Sequence, residues 1–215
     1  MKSPVTKSLI AKTPRKTRKS QPRGDSLEGK LLIAMPALTD KWFSRSVIYM
    51  CAHSAKGAMG LIINQRAKNI SFTDLLSHLE IAVPAGKRKL PGSVTKQCVH
   101  VGGPVETARG FVLHSADYAD GTTTLVIDKD ICLTATVDIV RAMARGTGPA
   151  QSLLALGYAS WGAGQLESEM QSNAWLHCQP DDDLVFSPDL GTKHERAMAK
   201  LGISPGFLVA DAGHA

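Results

Sequence analysis

The 215-residue sequence lacks several features that identify large classes of protein. Its longest apolar run, residues 31–38, is well short of the roughly 18 residues that a membrane-spanning helix needs. The four cysteines show none of the paired spacings of a disulfide framework or a zinc knuckle. Neither a phosphate-binding P-loop nor a dinucleotide-binding G-x-G-x-x-G motif is present. We therefore expect no membrane span, metal or cofactor, and the lack of a secretory signal predicts a cytoplasmic protein.

Positive charge is concentrated at the N-terminus. Residues 1–24 contain eight Lys and Arg residues and no acid, whereas the remaining residues sum to −2. Such a polar segment buries too little apolar surface to offset its ordering entropy, so we predict a basic disordered tail over residues 1–26. Three roles stay open for this tail: solubility, a weak salt-sensitive contact with nucleic acid or an anionic surface, or an organelle transit peptide.

The rest of the chain predicts an α+β fold. Its apolar runs are nearly continuous, which favours strands that are covered on both faces. Helices are predicted where Ser71 and Asp74 form a capping box and where apolar residues recur at helical spacing. Strands outnumber helices and do not alternate with them, which argues against a doubly wound parallel sheet. The predicted strands are 31–35, 46–53, 61–63, 99–101, 110–114, 122–127, 152–158 and 184–186, and the predicted helices are 71–79, 136–144, 165–170 and 194–201.

Two patterns resemble the active sites of hydrolases. The string GDSL at 24–27 matches a class of serine esterases, in which Ser26 would be activated by His214 and oriented by Asp211. However, Ser26 follows the basic tail and not a buried strand, so a chance match is favoured. Residues 157–162 resemble a nucleophile elbow, but Tyr158 stands where that motif needs its first glycine.

Two further groups could carry chemistry. Cys51 and His53 are two residues apart on a predicted strand and would share one face, so a thiolate could lie beside an imidazole. A buried, inert cysteine is the favoured alternative. Residues 181–183 are three consecutive aspartates that could bind a divalent cation. We favour a solvated turn before the predicted strand 184–186.

Several ordered segments match one known family. They are GKLLIAMP at 29–36, GAMGLIIN at 57–64, GGPV at 102–105, RGFVLH at 109–114, WGAGQLE at 161–167 and GHA at 213–215. From Leu27 to its C-terminus the sequence thereby resembles the YqgE/AlgH family of bacterial proteins. Ser160 departs from the family pattern, which usually has glycine there.

The resemblance implies a fold and little chemistry. It implies one compact α+β domain over residues 27–215, with a bifurcated β-sheet that contains a small closed barrel and is surrounded by helices. It supplies no catalytic residue and no cofactor. The family name reflects a proposed role in regulating the transcription of alginate genes.

Three functional hypotheses follow. The leading one is a cytoplasmic, non-enzymatic regulatory or binding protein whose partner is a protein or small ligand. The loops at 35–43, 102–105 and 158–165 would form its surface, with Asp40, Gln165 and Glu167 as exposed polar members. The alternatives are nucleic-acid binding linked to transcription, assisted by the tail, and an enzyme of hydrolase or thiol-dependent type. Packing within the barrel is the competing explanation for the glycines and prolines of these loops.

Overall fold

A computed structural model describes residues 26–81, 97–119 and 123–203. Almost all of the predicted tail and the C-terminal residues 204–215 lie outside these ranges. Within them the chain forms nine strands and five helices. In chain order the elements are β1 (Leu31–Ala34), β2 (Val47–Ser54), β3 (Gly57–Ile62), α1 (Phe72–His78), β4 (Val99–Val101), β5 (Val105–Ser115), β6 (Thr124–Val126), β7 (Ile131–Thr134), α2 (Val137–Arg145), β8 (Ser152–Gly162), α3 (Gln165–Gln171), β9 (Trp175–Cys178), α4 (Asp182–Phe186) and α5 (Lys193–Lys200).

The strands form one mixed sheet that divides at β8. The order is β6-β7-β5-β8-β3-β2-β1-β9, and β4 also pairs with β8. All of these pairs are antiparallel except β4 with β8. The first half of β8 pairs with β4 and β5, whereas its last residues pair with β3. The long strand β8 therefore belongs to both halves of the sheet.

The expected closed barrel is wrong. The sheet curls strongly into a half-barrel that stays open. Among the described residues its order ends at β6 on one side and β9 on the other, with no pairing between these two strands. A barrel closes only when its first and last strands pair. The single α+β domain with surrounding helices remains.

Both faces of the central strands are buried, as their apolar runs predict. Along β1, Leu31 and Ile33 pack into a first core together with Tyr49 and Leu113. The alternate residues Leu32 and Ala34 pack into a second core with Ile48, Met50, Trp161 and Trp175. A third core packs helices α1 and α2 against β5 and β8 through Phe72, Val112, Ile139 and Leu154. Burial on both faces accounts for strands that read as continuous apolar runs.

The connection from β4 to β5 crosses over β8. Strands β4 and β5 pair with the same residues of β8, so they lie on opposite edges of it. The crossing residues Gly102 and Gly103 lie against Gly157 and Tyr158 so closely that an added Cβ on either glycine would come within 2.2 Å of backbone. Gly157 itself has φ +73°. Glycine is needed at these positions because the two backbones are in contact. This supports packing as the reason for the glycines of the GGPV segment.

One predicted strand is a helix. Residues 184–186 belong to α4, which begins because the side chain of Asp181 accepts a hydrogen bond from the Leu184 amide at 2.7 Å. An aspartate at this position satisfies a helix N–H that would otherwise lack a partner. Strands β7 and β9 are short elements that the sequence did not predict.

Candidate functional site

Asp40 closes a turn in the loop between β1 and β2. Its Oδ1 accepts hydrogen bonds from the amides of Trp42 at 2.7 Å and Phe43 at 3.3 Å. Its carbonyl accepts a third from the Ser44 amide at 2.9 Å. Asp40 is exposed, so its carboxylate both fixes the loop and faces solvent.

Gln165 and Glu167 lie on the first turn of α3. Gln165 accepts a hydrogen bond from the Gly162 amide at 3.0 Å and donates one to Glu169 at 2.8 Å. Glu167 lies 2.9 Å from Nε2 of His53, which connects α3 to β2. The pKa of Glu167 is lowered mainly by a hydrogen bond from its own backbone N–H and, to a smaller extent, by the contact with His53. Both side chains are exposed and held in place by these contacts.

Glu169 is the centre of this network and was not predicted from the sequence. One carboxylate oxygen accepts hydrogen bonds from the indole N–H groups of Trp161 at 2.9 Å and Trp175 at 2.8 Å. The other accepts from Gln165. The spacing of four residues from Gln165 to Glu169 was a readable signal, because such residues are neighbours on a helix. The need of two buried indoles for an acceptor was the second signal.

Three aromatic rings join the Asp40 loop to α3. Phe43 stacks on Trp161 with centroids 6.4 Å apart and meets Trp175 edge-on at 5.7 Å. The two tryptophans are themselves edge-on at 5.9 Å. The loops at 35–43 and 158–165 therefore meet, as the surface hypothesis requires. Asp40 on the first loop and Gln165 and Glu167 on α3 are each exposed, and we call these three residues the α3 face.

The loop at 102–105 follows β4 and is connected to the Asp40 loop through Gln65. The side chain of Gln65 donates to the Trp42 carbonyl at 2.8 Å, and the carbonyl of Gln65 accepts from the Val101 amide at 2.9 Å. Gln65 thus links the Asp40 loop to the end of β4. Both glycines pack against β8, and the Gly102 carbonyl also accepts a hydrogen bond from the Ile62 amide of β3 at 2.9 Å. Neither residue has a side chain that could contact a ligand.

Cys51 and His53 do not share one face, because a β-bulge separates them. Met50 pairs with Gly60 whereas Ala52 pairs with Met59, which leaves Cys51 as the extra residue. Cys51 is buried in the first core, where burial raises the pKa of its thiol. His53 points the other way, and its Nδ1 accepts a hydrogen bond from the Leu27 amide at 3.1 Å. This geometry gives no thiolate beside an imidazole.

A second Cys-x-His sequence, Cys98-Val99-His100, was not predicted as a site, and its two side chains are in contact. Cys98 Sγ lies 3.5 Å from Nε2 of His100. His100 is buried, and burial lowers its pKa to about 4. Lys193 on α5 is fully buried nearby, with its Nζ 2.5 Å from the Val185 carbonyl. Burial also lowers the pKa of Lys193 to about 8.

The three aspartates at 181–183 have structural partners. Asp181 caps α4 and pairs with Lys200 at 2.5 Å, and Asp183 pairs with Arg196. No group of three or more His, Cys, Asp and Glu side chains within residues 26–81, 97–119 and 123–203 could hold a metal ion. Asp182 and Asp183 border a cleft of about 560 Å³ whose apolar walls include Phe72, Met143 and Phe186.

The remaining predictions are tested only in part. Ser26 Oγ accepts a hydrogen bond from the Glu28 amide at 3.2 Å, while Asp211 and His214 lie outside the described residues. Where the structure is described, no helix is long and apolar enough to cross a membrane.

Comparisons with known proteins agree on one family. Residues 31–206 match the profile of a family described as DUF179, AlgH-like. A UPF0301 protein of Rhodopseudomonas palustris strain BisB18 is 57% identical over 189 residues, which cover 88% of this chain and 89% of that protein. A UPF0301 protein of Beijerinckia indica is 54% identical over 196 residues, covering 91% and 96%.

Solved structures show the same fold. The solution structure of the AlgH protein from Pseudomonas aeruginosa is 37% identical, has a TM-score of 0.71, and is matched over 92% of this chain and 100% of that one. The crystal structure of protein DIP2367 from Corynebacterium diphtheriae is 18% identical with a TM-score of 0.64, covering 84% and 90%. At that identity the second likeness concerns the fold alone.

Proposed function

The chain belongs to the AlgH-like family, and on that premise we propose that it is a cytoplasmic, non-enzymatic regulatory or binding protein that contacts its partner through the α3 face. The observation that carries this proposal is the Glu169 carboxylate, which holds both indoles and Gln165 at once. A surface that is already ordered loses little conformational entropy on binding.

The charge of the α3 face favours a particular kind of partner. Asp40 and Glu167 are exposed on it, and Glu169 lies half-buried beneath. A partner that presents Lys or Arg side chains complements these carboxylates, whereas a phosphate backbone is repelled by them. A link to transcription would then run through a protein or small ligand and not through direct reading of DNA.

A peptide selection tests the α3 face. Random displayed peptides are selected on the full-length protein, and their affinities are measured by fluorescence anisotropy. We expect peptides rich in Lys and Arg, bound at least ~10-fold more weakly by the double variant Gln165→Ala/Glu167→Ala. The matched control is Asp130→Asn/Asp138→Asn, which removes two exposed carboxylates elsewhere and should bind as the wild type does. Equal binding to both variants would place the binding site away from the α3 face.

A weak contact between the basic tail and nucleic acid is a second candidate. The eight positive charges of residues 1–24 favour it, because each phosphate contact releases a counterion. Anisotropy of labelled duplex DNA, with full-length protein at two salt concentrations, tests this contact. A variant with all eight Lys and Arg changed to Gln should lose binding. DNA binding that survives in that variant at high salt would instead assign recognition to the folded domain.

A further inference from the structure

The cleft bordered by Asp182 and Asp183 is a second candidate binding site, which we call the Asp182 cleft. Its volume of about 560 Å³ lies within the range of pockets that hold small molecules, roughly 300–1,000 Å³. It is lined by α4, by the first residue of α1 and by the connection from α2 to β8. None of the three residues of the α3 face is among the described residues that line it.

The described lining of the Asp182 cleft carries negative charge and no positive charge. It includes both aspartates and no Lys, Arg or His. Asp183 pairs with Arg196 of α5, whereas Asp182 forms no ion pair within the described part of the chain. Gly146, which ends α2, also lines the cleft, and the C-terminal end of a helix carries a partial negative charge. Such a site attracts a cation and disfavours an anion.

The remaining lining suits the uncharged part of an organic cation. Phe186, Pro149 and Pro188 contribute ring surfaces to the cleft. The face of an aromatic ring attracts an ammonium or a guanidinium group. The side-chain amide of Gln97 donates a hydrogen bond to the Ser152 carbonyl at 3.0 Å, which fixes the position of its acceptor oxygen.

We propose that the Asp182 cleft binds a small organic cation in which an amine or a guanidinium is carried by a short apolar chain. Asp182 contacts the charged group, Phe186 and the two prolines contact the methylene groups, and Gln97 accepts a hydrogen bond. Binding is weakened by salt, because Asp182 and Asp183 are exposed. This site is independent of the partner that the α3 face contacts.

Agmatine, in which four methylene groups join a guanidinium to an ammonium, is the probe. It is titrated into isotope-labelled full-length protein, and the backbone amide signals are followed by NMR. We expect saturable shifts at Gly148, Ala150 and Ser187 of the cleft and none at Glu167 on α3. Guanidinobutanoate, which has a carboxylate in place of the ammonium, should bind at least ~10-fold more weakly. Equal affinity for the two probes, or the largest shifts at Glu167, would overturn the proposal.

Two aspartate variants test the charge of the site. Asp182→Asn keeps the size of the side chain and removes its charge, so agmatine should bind ~5-fold more weakly. The matched control is Asp138→Asn, which removes an exposed carboxylate from the first turn of α2 and should bind as the wild type does. Unchanged affinity in Asp182→Asn would refute the assignment of that carboxylate to the ligand.

A further variant separates the ligand from a competing occupant in the chain itself. Residues 82–96, which lie outside the described residues and precede Gln97, contain four Lys and Arg and no acid. The variant Lys87→Gln/Arg88→Gln/Lys89→Gln removes three of these charges. We expect it to change the affinity for agmatine less than Asp182→Asn does. Agmatine binding by this variant alone, and not by the wild type, would assign the cleft to the chain's own basic segment and overturn the proposal.

Discussion

Cys51-Ala52-His53 on β2 and Cys98-Val99-His100 at the beginning of β4 have the same spacing but opposite outcomes. In the first pair a bulge at Cys51 sends the thiol into the first core and the imidazole towards Leu27 and Glu167. In the second pair the strand is regular, and sulfur and ring are in contact. One inserted residue in the ladder therefore decides whether a Cys-x-His spacing brings the sulfur and the imidazole into contact.

The two histidines consequently serve different purposes. His53 accepts from a backbone amide and contacts a carboxylate, so both of its nitrogens are used to fasten Leu27 and α3 to β2. His100 has one nitrogen fixed by a carbonyl and the other beside a thiol. His53 is therefore fastened through both nitrogens, whereas His100 is fastened through Nδ1 and is otherwise packed against the Cys98 sulfur.

The largest expected effect on stability comes from a substitution where the β4–β5 connection packs against β8. In Gly157→Ala the new Cβ would lie 2.5 Å from the Gly103 carbonyl oxygen and 2.9 Å from that of Val105, at φ +73°. Both clashing atoms are backbone, so neither can move freely. We expect the free energy of unfolding to fall by about 3–5 kcal/mol in urea titrations.

Gly164→Ala is the matched control for that prediction. Gly164 has nearly the same φ, +72°, but nothing lies within 4 Å of the position its Cβ would take. The substitution should therefore cost about 1 kcal/mol, the strain of the left-handed conformation alone. Similar losses in the two variants would show that backbone conformation, and not the close crossing at β8, requires glycine at 157.

A smaller effect should come from Lys193, the buried cation near Cys98. Burial lowers its pKa from 10.5 to about 8, so between these pH values the unfolded chain binds more protons than the folded one. Stability from this group therefore rises with pH above 8, and at neutral pH the burial costs roughly 3 kcal/mol. Lys193→Met should unfold at higher urea than wild type at pH 7, and the difference should shrink towards pH 10. A difference that does not change with pH would contradict the burial of a charged lysine.

The sequence predicted most elements because their signals are local. The capping box at Ser71 and Asp74 begins α1 as expected, and Gly146 ends α2 in the left-handed conformation. The failures have non-local causes. Asp181 was read as part of a turn before a strand, because nothing in the three following residues distinguishes a short capped helix from a short strand. The open barrel depends on which strands fail to pair, which no local pattern encodes.

The exposure of the candidate residues was predictable from the sequence, but their contacts were not. Gln165 and Glu167 were named from the sequence as exposed polar residues, and both are exposed on α3. Glu169 was not, because its importance depends on the two indoles that the fold delivers from β8 and β9. The bulge at Cys51 was equally invisible, since the strand reads as continuous apolar residues on both sides of it. The contact between Cys98 and His100 was not predictable from spacing either, because Cys51 and His53 have the same spacing and do not meet.

The smallest effects compare the two glutamates that attach α3 to the sheet. Glu169→Ala leaves two buried indole N–H groups without their acceptor, and water can reach the half-buried position only in part. We expect a loss of about 2 kcal/mol in urea titrations and a shift in tryptophan emission. Glu167→Gln keeps an acceptor for His53 and changes an exposed pair, so its loss should stay below ~1 kcal/mol. If Glu167→Gln proved the more costly substitution, the contact with His53 would be what holds α3 in place. His53 on the bulged strand β2 would then stabilise the position of α3 more than Trp161 and Trp175 do.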